Sequence, residues 1–160
     1  MQAVKLGMHE LAGFMKTHGV QGEILHLSVP TLTVEAAAQA VNASPEQIIK
    51  SILFMVDGQA LLAIACGKSS IERRAIADLY GVGKKQVKLA TPEMVLEISG
   101  YEVGAMPPFG HRHPLTTLID TRVLDSSESY AGGGAENALL RLNPQEILKV
   151  TGAKVLDLLE

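Results

Sequence analysis

The 160-residue sequence predicts an α+β fold, a mixed, curved and partly barrel-like β-sheet with helices packed around it. Asp57-Gly58 stands between two apolar runs, and this two-residue hairpin turn forces antiparallel pairing. Helical and strand periodicities also alternate along the chain without a regular strand–helix–strand repeat. No linker, repeat or low-complexity tract interrupts the chain, so one domain over residues 1–160 is expected. With 47% hydrophobic and 19% charged residues, it can bury one sizeable core.

The elements follow in order. Leu11, Phe14 and Met15 recur at helical spacing over 6–18, and Gly19 ends that helix. Residues 23–29 alternate, with Leu25, Leu27 and Val29 on one face and Ile24, His26 and Ser28 on the other, which predicts a strand. Thr33 caps an alanine-rich helix that runs to Val41. Ser44-Pro45-Glu46-Gln47 is a compact capping box. Its helix must stop quickly, because 51–56 and 59–65 read as apolar strands buried on both faces. A second capping box around Ser70, with Ser69, Ile71 and Glu72, opens a helix to Tyr80 that Gly81 closes. A short strand over 86–89 precedes a helix opened by Thr91-Pro92 and ending near Ser99-Gly100. Strands are expected over 115–120 and 138–142, and Asn143-Pro144 caps a last helix toward Val150.

Composition narrows the function. A net charge of −3 and a pI of about 5.9 argue against a protein that grips long duplex nucleic acid, but leave contact with a short single-stranded end open. Lys68, Arg73 and Arg74, then Lys84, Lys85 and Lys88, then His111-Arg112-His113 form local basic clusters, either solvated faces or phosphate contacts. Cys66 is the single cysteine and ends the run LLAIAC. It reads as a buried free thiol, and no internal disulfide can form. No apolar run is long enough to span a bilayer, and the first 16 residues lack the apolar core of a signal peptide, so a cytoplasmic protein is expected.

Several enzyme templates fall away. Gly67-Lys68-Ser69 ends like a phosphate loop, but Leu62 stands where its first glycine belongs. There is no GxGxxG and no GxSxG. His111 and His113 have no partner at metal-ligand spacing, so neither metal nor cofactor is expected.

Three features remain. Lys50 lies where a capped turn meets a strongly apolar strand. A lysine there is costly unless its ammonium has a purpose or a wet exit. The loop over 104–110 is stiffened by Pro107 and Pro108 and bounded by Gly104 and Gly110. It is either a tight connection or a rigid frame that holds N–H groups toward a carbonyl oxygen. Gly132, Gly133 and Gly134 form either a flexible turn or a place where another molecule can approach the main chain.

These features occur together, and in this order, in a known family. The sequence resembles the YbaK-type, prolyl-tRNA-synthetase-associated editing domains. The matching stretches are Thr33-Val34-Glu35-Ala36-Ala37 and Gln47-Ile48-Ile49-Lys50-Ser51-Ile52-Leu53-Phe54. They continue with Gly100-Tyr101-Glu102-Val103-Gly104-Ala105-Met106-Pro107-Pro108-Phe109-Gly110, Ile119-Asp120 and the glycine triplet. The match covers residues 24–152. The lysine segment and the glycine loop are specific together and weak singly.

The resemblance implies metal-free and cofactor-free hydrolysis of the ester in a mischarged aminoacyl-tRNA, with Lys50 as the family's essential lysine and Gly104 opening its GxxxP loop. It implies a substrate site from His26, Ser51, Ala105, Met106, Pro107, Pro108, Phe109, Gly110 and the three glycines. His26 could equally be structural. Ala105 departs from the commoner glycine pair, and Pro107 stands where many members carry serine. Both bear on which small amino acid (alanine, cysteine, serine or threonine) is removed. The implied partners are the acceptor end of an aminoacyl-tRNA and an aminoacyl-tRNA synthetase. The competing readings are a catalytically inactive tRNA- or synthetase-binding module of the same fold, and an unrelated small-molecule-binding protein.

Overall fold

Asp57 and Gly58 both take positive φ, +49° and +83°, as the two-residue hairpin requires. The turn joins β2 (Ile49–Val56) to β3 (Gln59–Cys66), which pair antiparallel over their full length, with Lys50 opposite Ala65. The structure is a computed structural model that describes residues 4–160; the first three residues of the N-terminal stretch lie outside it. Leu62, Ala63, Ile64 and Ala65 of β3 are fully buried, so the central strand is covered on both faces, as its unbroken apolar run predicts.

β2 and β3 lie inside a five-stranded sheet. β4 (Val87–Leu89) pairs antiparallel with the far end of β2, while β5 (Thr116–Asp120) pairs parallel with β3 and with β8 (Lys154–Leu156). A smaller antiparallel sheet has the order β1 (Glu23–His26), β7 (Ala138–Leu142), β6 (Ser129–Gly132). A parallel bridge between Ile48 and Tyr130 joins the two sheets where β2 meets β6. The expected barrel-like character is corrected here. Both sheets remain open, because the larger one ends on three-residue strands at either side. The α+β class stands.

Helices cover the faces. α3 (Arg73–Tyr80) packs Ile76 and Ala77 onto Phe54, Val56, Leu61 and Ala63. α1 (Met8–His18) and α4 (Pro92–Ser99) close the opposite core through Leu11, Met15 and Val95, against Leu53, Leu62 and Ile64. α2 (Val34–Val41) covers the small sheet with Ala37 and Ala38, and α5 (Gln145–Thr151) adds Ile147. Each fully buried Leu or Ile contributes about 1.5–3 kcal/mol of burial, so this shared core fixes the strands that carry the site.

Some local expectations change. β1 stops at His26 rather than Val29, after which Leu27 N–H and Thr31 N–H bond the carbonyls of Asn137 and Glu136 outside any ladder. The capping box at Ser70 does not form. Glu72 itself caps α3, accepting from Arg74 N–H at 3.0 Å, because the chain at Ser70 and Ile71 is held against Glu160 and Leu159. Asp120 is fully buried and satisfied, accepting from Leu158 N–H at 2.7 Å and from Arg122 N–H and Nη1 at 3.0 Å. It fastens the end of β5 to the C-terminal segment.

Candidate functional site

Lys50 owes its place to the turn before it. Ser44 N–H donates to Gln47 Oε1, closing the short 3-10 turn Pro45–Gln47, and β2 starts two residues later. Alternation then turns Ile49 and Leu53 into one core and Lys50, with Ile52 and Phe54, toward the α3 layer. There the ammonium donates to the carbonyl oxygen of Ser69. The side chain is half-buried, and this desolvation lowers its pKa below the usual lysine value. Among the described residues no carboxylate lies within ion-pair distance of it. Cys66 supplies no counter-charge at neutral pH, because burial raises its thiol to about 11. A neutral, buried thiol of this kind is inert.

Ser51 lies on the open edge of β2. Ala90 N–H donates to Leu53 C=O and Asp57 N–H to Gln86 C=O, so odd-numbered residues of β2 direct their main chain away from β3. β4 has diverged before reaching Ser51. The Ser51 hydroxyl is buried and makes no hydrogen bond among the described residues, which costs roughly 1–3 kcal/mol.

The 104–110 loop is held by main chain. Gly104 has φ +87°, and a Cβ there would press on Leu32 at 3.0 Å. Ala105 N–H bonds Glu102 C=O at 3.1 Å, and Ala105 C=O accepts from Gly134 N–H at 2.9 Å. The N–H groups of Gly104 and Met106 have no such partner among the described residues. A Cβ on Gly132 would collide with the carbonyl of Met106, so β6 and the loop touch backbone to backbone.

Lys50, Ser51, Gly104, Met106 and Gly132 line one cleft of about 210 Å³, beside Thr31 and Leu32. An apolar chamber of about 160 Å³ shares Ser51, Gly104 and Met106 with it and runs on past Leu53, Ala90 and Val95. Its walls are almost wholly hydrocarbon, so Ser51 brings the polar hydroxyl at the junction.

Other expected residues lie elsewhere. His26 is exposed at the end of β1, its Nε2 3.0 Å from Asn137 Nδ2, and is not in the lining. Ala105 and Pro107 are buried behind the loop, and Pro107 C=O bonds His111 Nε2 at 2.7 Å. Pro108, Phe109 and Gly110 border a separate cavity of about 240 Å³ with Phe14, His18 and His111. Gly133 and Gly134 abut Ala138 and Gly7, so the protein's own backbone fills the space beside them. Sequence reasoning missed Thr31, Leu32 and Val103 at the cleft, and Ala90 and Val95 in the chamber. Leu32 and Val103, both about half exposed, were legible only as isolated apolar residues in loops.

Among the described residues no helix is long and apolar enough to cross a membrane, and no three His, Cys, Asp or Glu side chains gather as a metal set.

Comparison with known proteins decides the family. The aminoacyl-tRNA editing domain model matches residues 28–150. The chain belongs to the aminoacyl-tRNA editing domain family. A solved structure of a proposed trans-editing enzyme for prolyl tRNA synthetase superposes with a TM-score of 0.88, at 36% identity and over 96% of each chain. The protein YwhH of Bacillus subtilis (strain 168) is 27% identical over 146 residues, covering 88% of this chain and 91% of that one. The proline–tRNA ligase of Geobacillus sp. (strain WCH70) is 29% identical over 114 residues, which are 71% of this chain but 20% of the ligase. This editing domain therefore has relatives both as separate chains of its own length and as a segment of a much longer ligase.

Proposed function

We propose that this editing domain is a trans-acting deacylase that hydrolyses the ester of a mischarged tRNA carrying a small amino acid, alanine, cysteine, serine or threonine. One observation carries the reading: Lys50, Gly104 and Met106 line the same cleft, beside the Ser51 hydroxyl, which has no partner among the described residues. The whole chain would act as one editing unit in the cytoplasm, engaging the acceptor end directly or beside a synthetase.

The ester is already activated, so positioning supplies much of the acceleration. The Lys50 ammonium would leave the Ser69 carbonyl and hold the terminal phosphate or the ester carbonyl as a point charge. The N–H groups of Gly104 and Met106 would receive the carbonyl oxygen as charge develops on it; Ala105 is already committed to Glu102. Water, or a hydroxyl or thiol of the substrate itself, adds to the carbonyl carbon. The ester C–O bond then breaks, and the ribose oxygen leaves with the proton that the nucleophile gives up; a side-chain nucleophile releases the amino acid as a cyclic ester or thioester, which water then opens. The apolar chamber would take the amino-acid side chain, with Ser51 Oγ at its mouth.

A panel of mischarged tRNAs, run with wild type and Lys50→Ala in parallel, tests this reading. Release of amino acid by wild type and its loss in the variant is the expected result. No release from any member would leave the inactive binding module as the better account.

A further inference from the structure

We propose that the loop after β3 and the start of α3, with the adjoining turn Lys84–Gln86, form a phosphate track for the acceptor arm of tRNA, with Lys68, Arg73, Arg74 and Lys84 as its contacts. The inference rests on the editing reading and assigns basic residues that the cleft does not use.

Charge along the chain is segregated. Residues 68–88 hold six of the fourteen Lys and Arg but two of the seventeen Asp and Glu, in a chain of net charge −3. The fold gathers most of these cations. α3 turns Ile76 and Ala77 inward and leaves Arg73 and Arg74 exposed. Lys84 Nζ lies 3.9 Å from Glu72 Oε1, which places the second basic cluster beside the first turn of α3. Glu72, the acid in that pair, is occupied as the helix cap. Among the described residues Arg73, Arg74 and Lys85 have no carboxylate within ion-pair distance. Lys68 reaches Glu35 at 3.8 Å, but both are well exposed and such a pair is worth little. Lys88 is left out, since Val87 is buried against the α3 layer and its neighbour in the strand points the opposite way.

The track adjoins the cleft. The Lys50 ammonium bonds the carbonyl of Ser69, the residue next to Lys68. Arg74 is five residues further along, a chain distance of at most about 18 Å. A strand whose 3′ end enters the cleft would therefore meet these cations as it leaves. A continuous phosphodiester chain suits this row better than an acidic peptide, because its charges are evenly spaced and its end is already assigned to the cleft.

Binding of uncharged tRNA, measured across a salt series, tests the track. Each phosphate contact adds about 0.7–0.9 to the slope of log K against log salt. Arg73→Gln/Arg74→Gln/Lys84→Gln should lower that slope by about 2–3 and raise KM for aminoacyl-tRNA at least tenfold. Its kcat, and its turnover of an aminoacyl-adenosine ester, should stay at wild-type values. Arg73→Lys/Arg74→Lys should keep the slope. An unchanged slope in the triple variant overturns the proposal; if that variant does not fold, Arg73→Gln alone is read the same way, with an expected change of about 0.7–0.9. If the wild type binds tRNA through this slope yet hydrolyses no ester, the editing reading fails and the track stands.

Discussion

The Lys50 ammonium donates to the carbonyl oxygen of Ser69, bridging the start of β2 to the segment that leads into α3. A half-buried ammonium held by one neutral oxygen is only partly compensated for its lost hydration, so it is ready to exchange that partner for an anion. Lys50→Ala should lower deacylation by about 10²–10³-fold, the usual loss for one electrostatic contact to a developing oxyanion. The melting temperature should hold within a few degrees. Wild-type turnover in that variant would remove Lys50 from the chemistry.

The same burial sets a pH dependence. Desolvation lowers the Lys50 pKa, so its charge is lost before that of a free lysine as pH rises. Affinity for a non-hydrolysable aminoacyl-adenosine analogue should fall on the alkaline side below 10.5, the unperturbed value. An affinity that stays flat up to that pH would count against a role for the ammonium in binding.

Cys66 gives a stability window of opposite origin. Its thiol is raised from 9.0 to about 11 by burial, so between those values the unfolded chain has lost a proton that the folded chain keeps. Unfolding free energy should therefore decrease with pH across that interval. Denaturant titrations at pH 9 and 11 should show a smaller loss for Cys66→Ala than for wild type. In the native state the thiol should resist alkylation at neutral pH.

Ser51 should separate stability from specificity. Ser51→Ala removes a buried hydroxyl without a hydrogen bond, so stability should rise by about 1 kcal/mol or stay level. Discrimination between serine or threonine and alanine esters should narrow at the same time, measured as the ratio of their kcat/KM values. A loss of stability would mean that the hydroxyl is satisfied in solution.

Two glycine substitutions should diverge. Gly13 lies within α1 and a Cβ there meets nothing within 4 Å, so Gly13→Ala should stabilise by about 0.5–1 kcal/mol. Gly132→Ala would set a Cβ 2.8 Å from the carbonyl carbon of Met106 and should destabilise by about 1–3 kcal/mol. Thermal melts of the two variants check both signs.

Much of the scaffold was legible because it is written in local chemistry. Asp57-Gly58, Thr33, Thr91-Pro92 and the glycines that end the helices act within a few residues, and each performs as read. β6 and β8 were missed. One is the small, glycine-ended segment Ser129–Gly132, the other the three-residue parallel edge Lys154–Leu156, and both are defined by distant partners. The site divided in the same way. Lys50 and Gly104 could be found through the resemblance and do share a cleft. The hydrogen bond to Ser69 arises only when β2 meets the segment before α3, and the orphan hydroxyl of Ser51 and the chamber wall at Ala90 and Val95 only when the β2 edge meets α4 and the loop.

The main-chain contact between Gly132 and Met106 bears on how substrate preference could change. Side-chain replacement cannot widen a wall whose two surfaces are both peptide backbone. New preferences would have to be cut into the hydrocarbon walls of the adjoining chamber, at Ile52, Ala90 or Val95. The peptide wall of the cleft would then act as a fixed ruler and the chamber as the adjustable jaw.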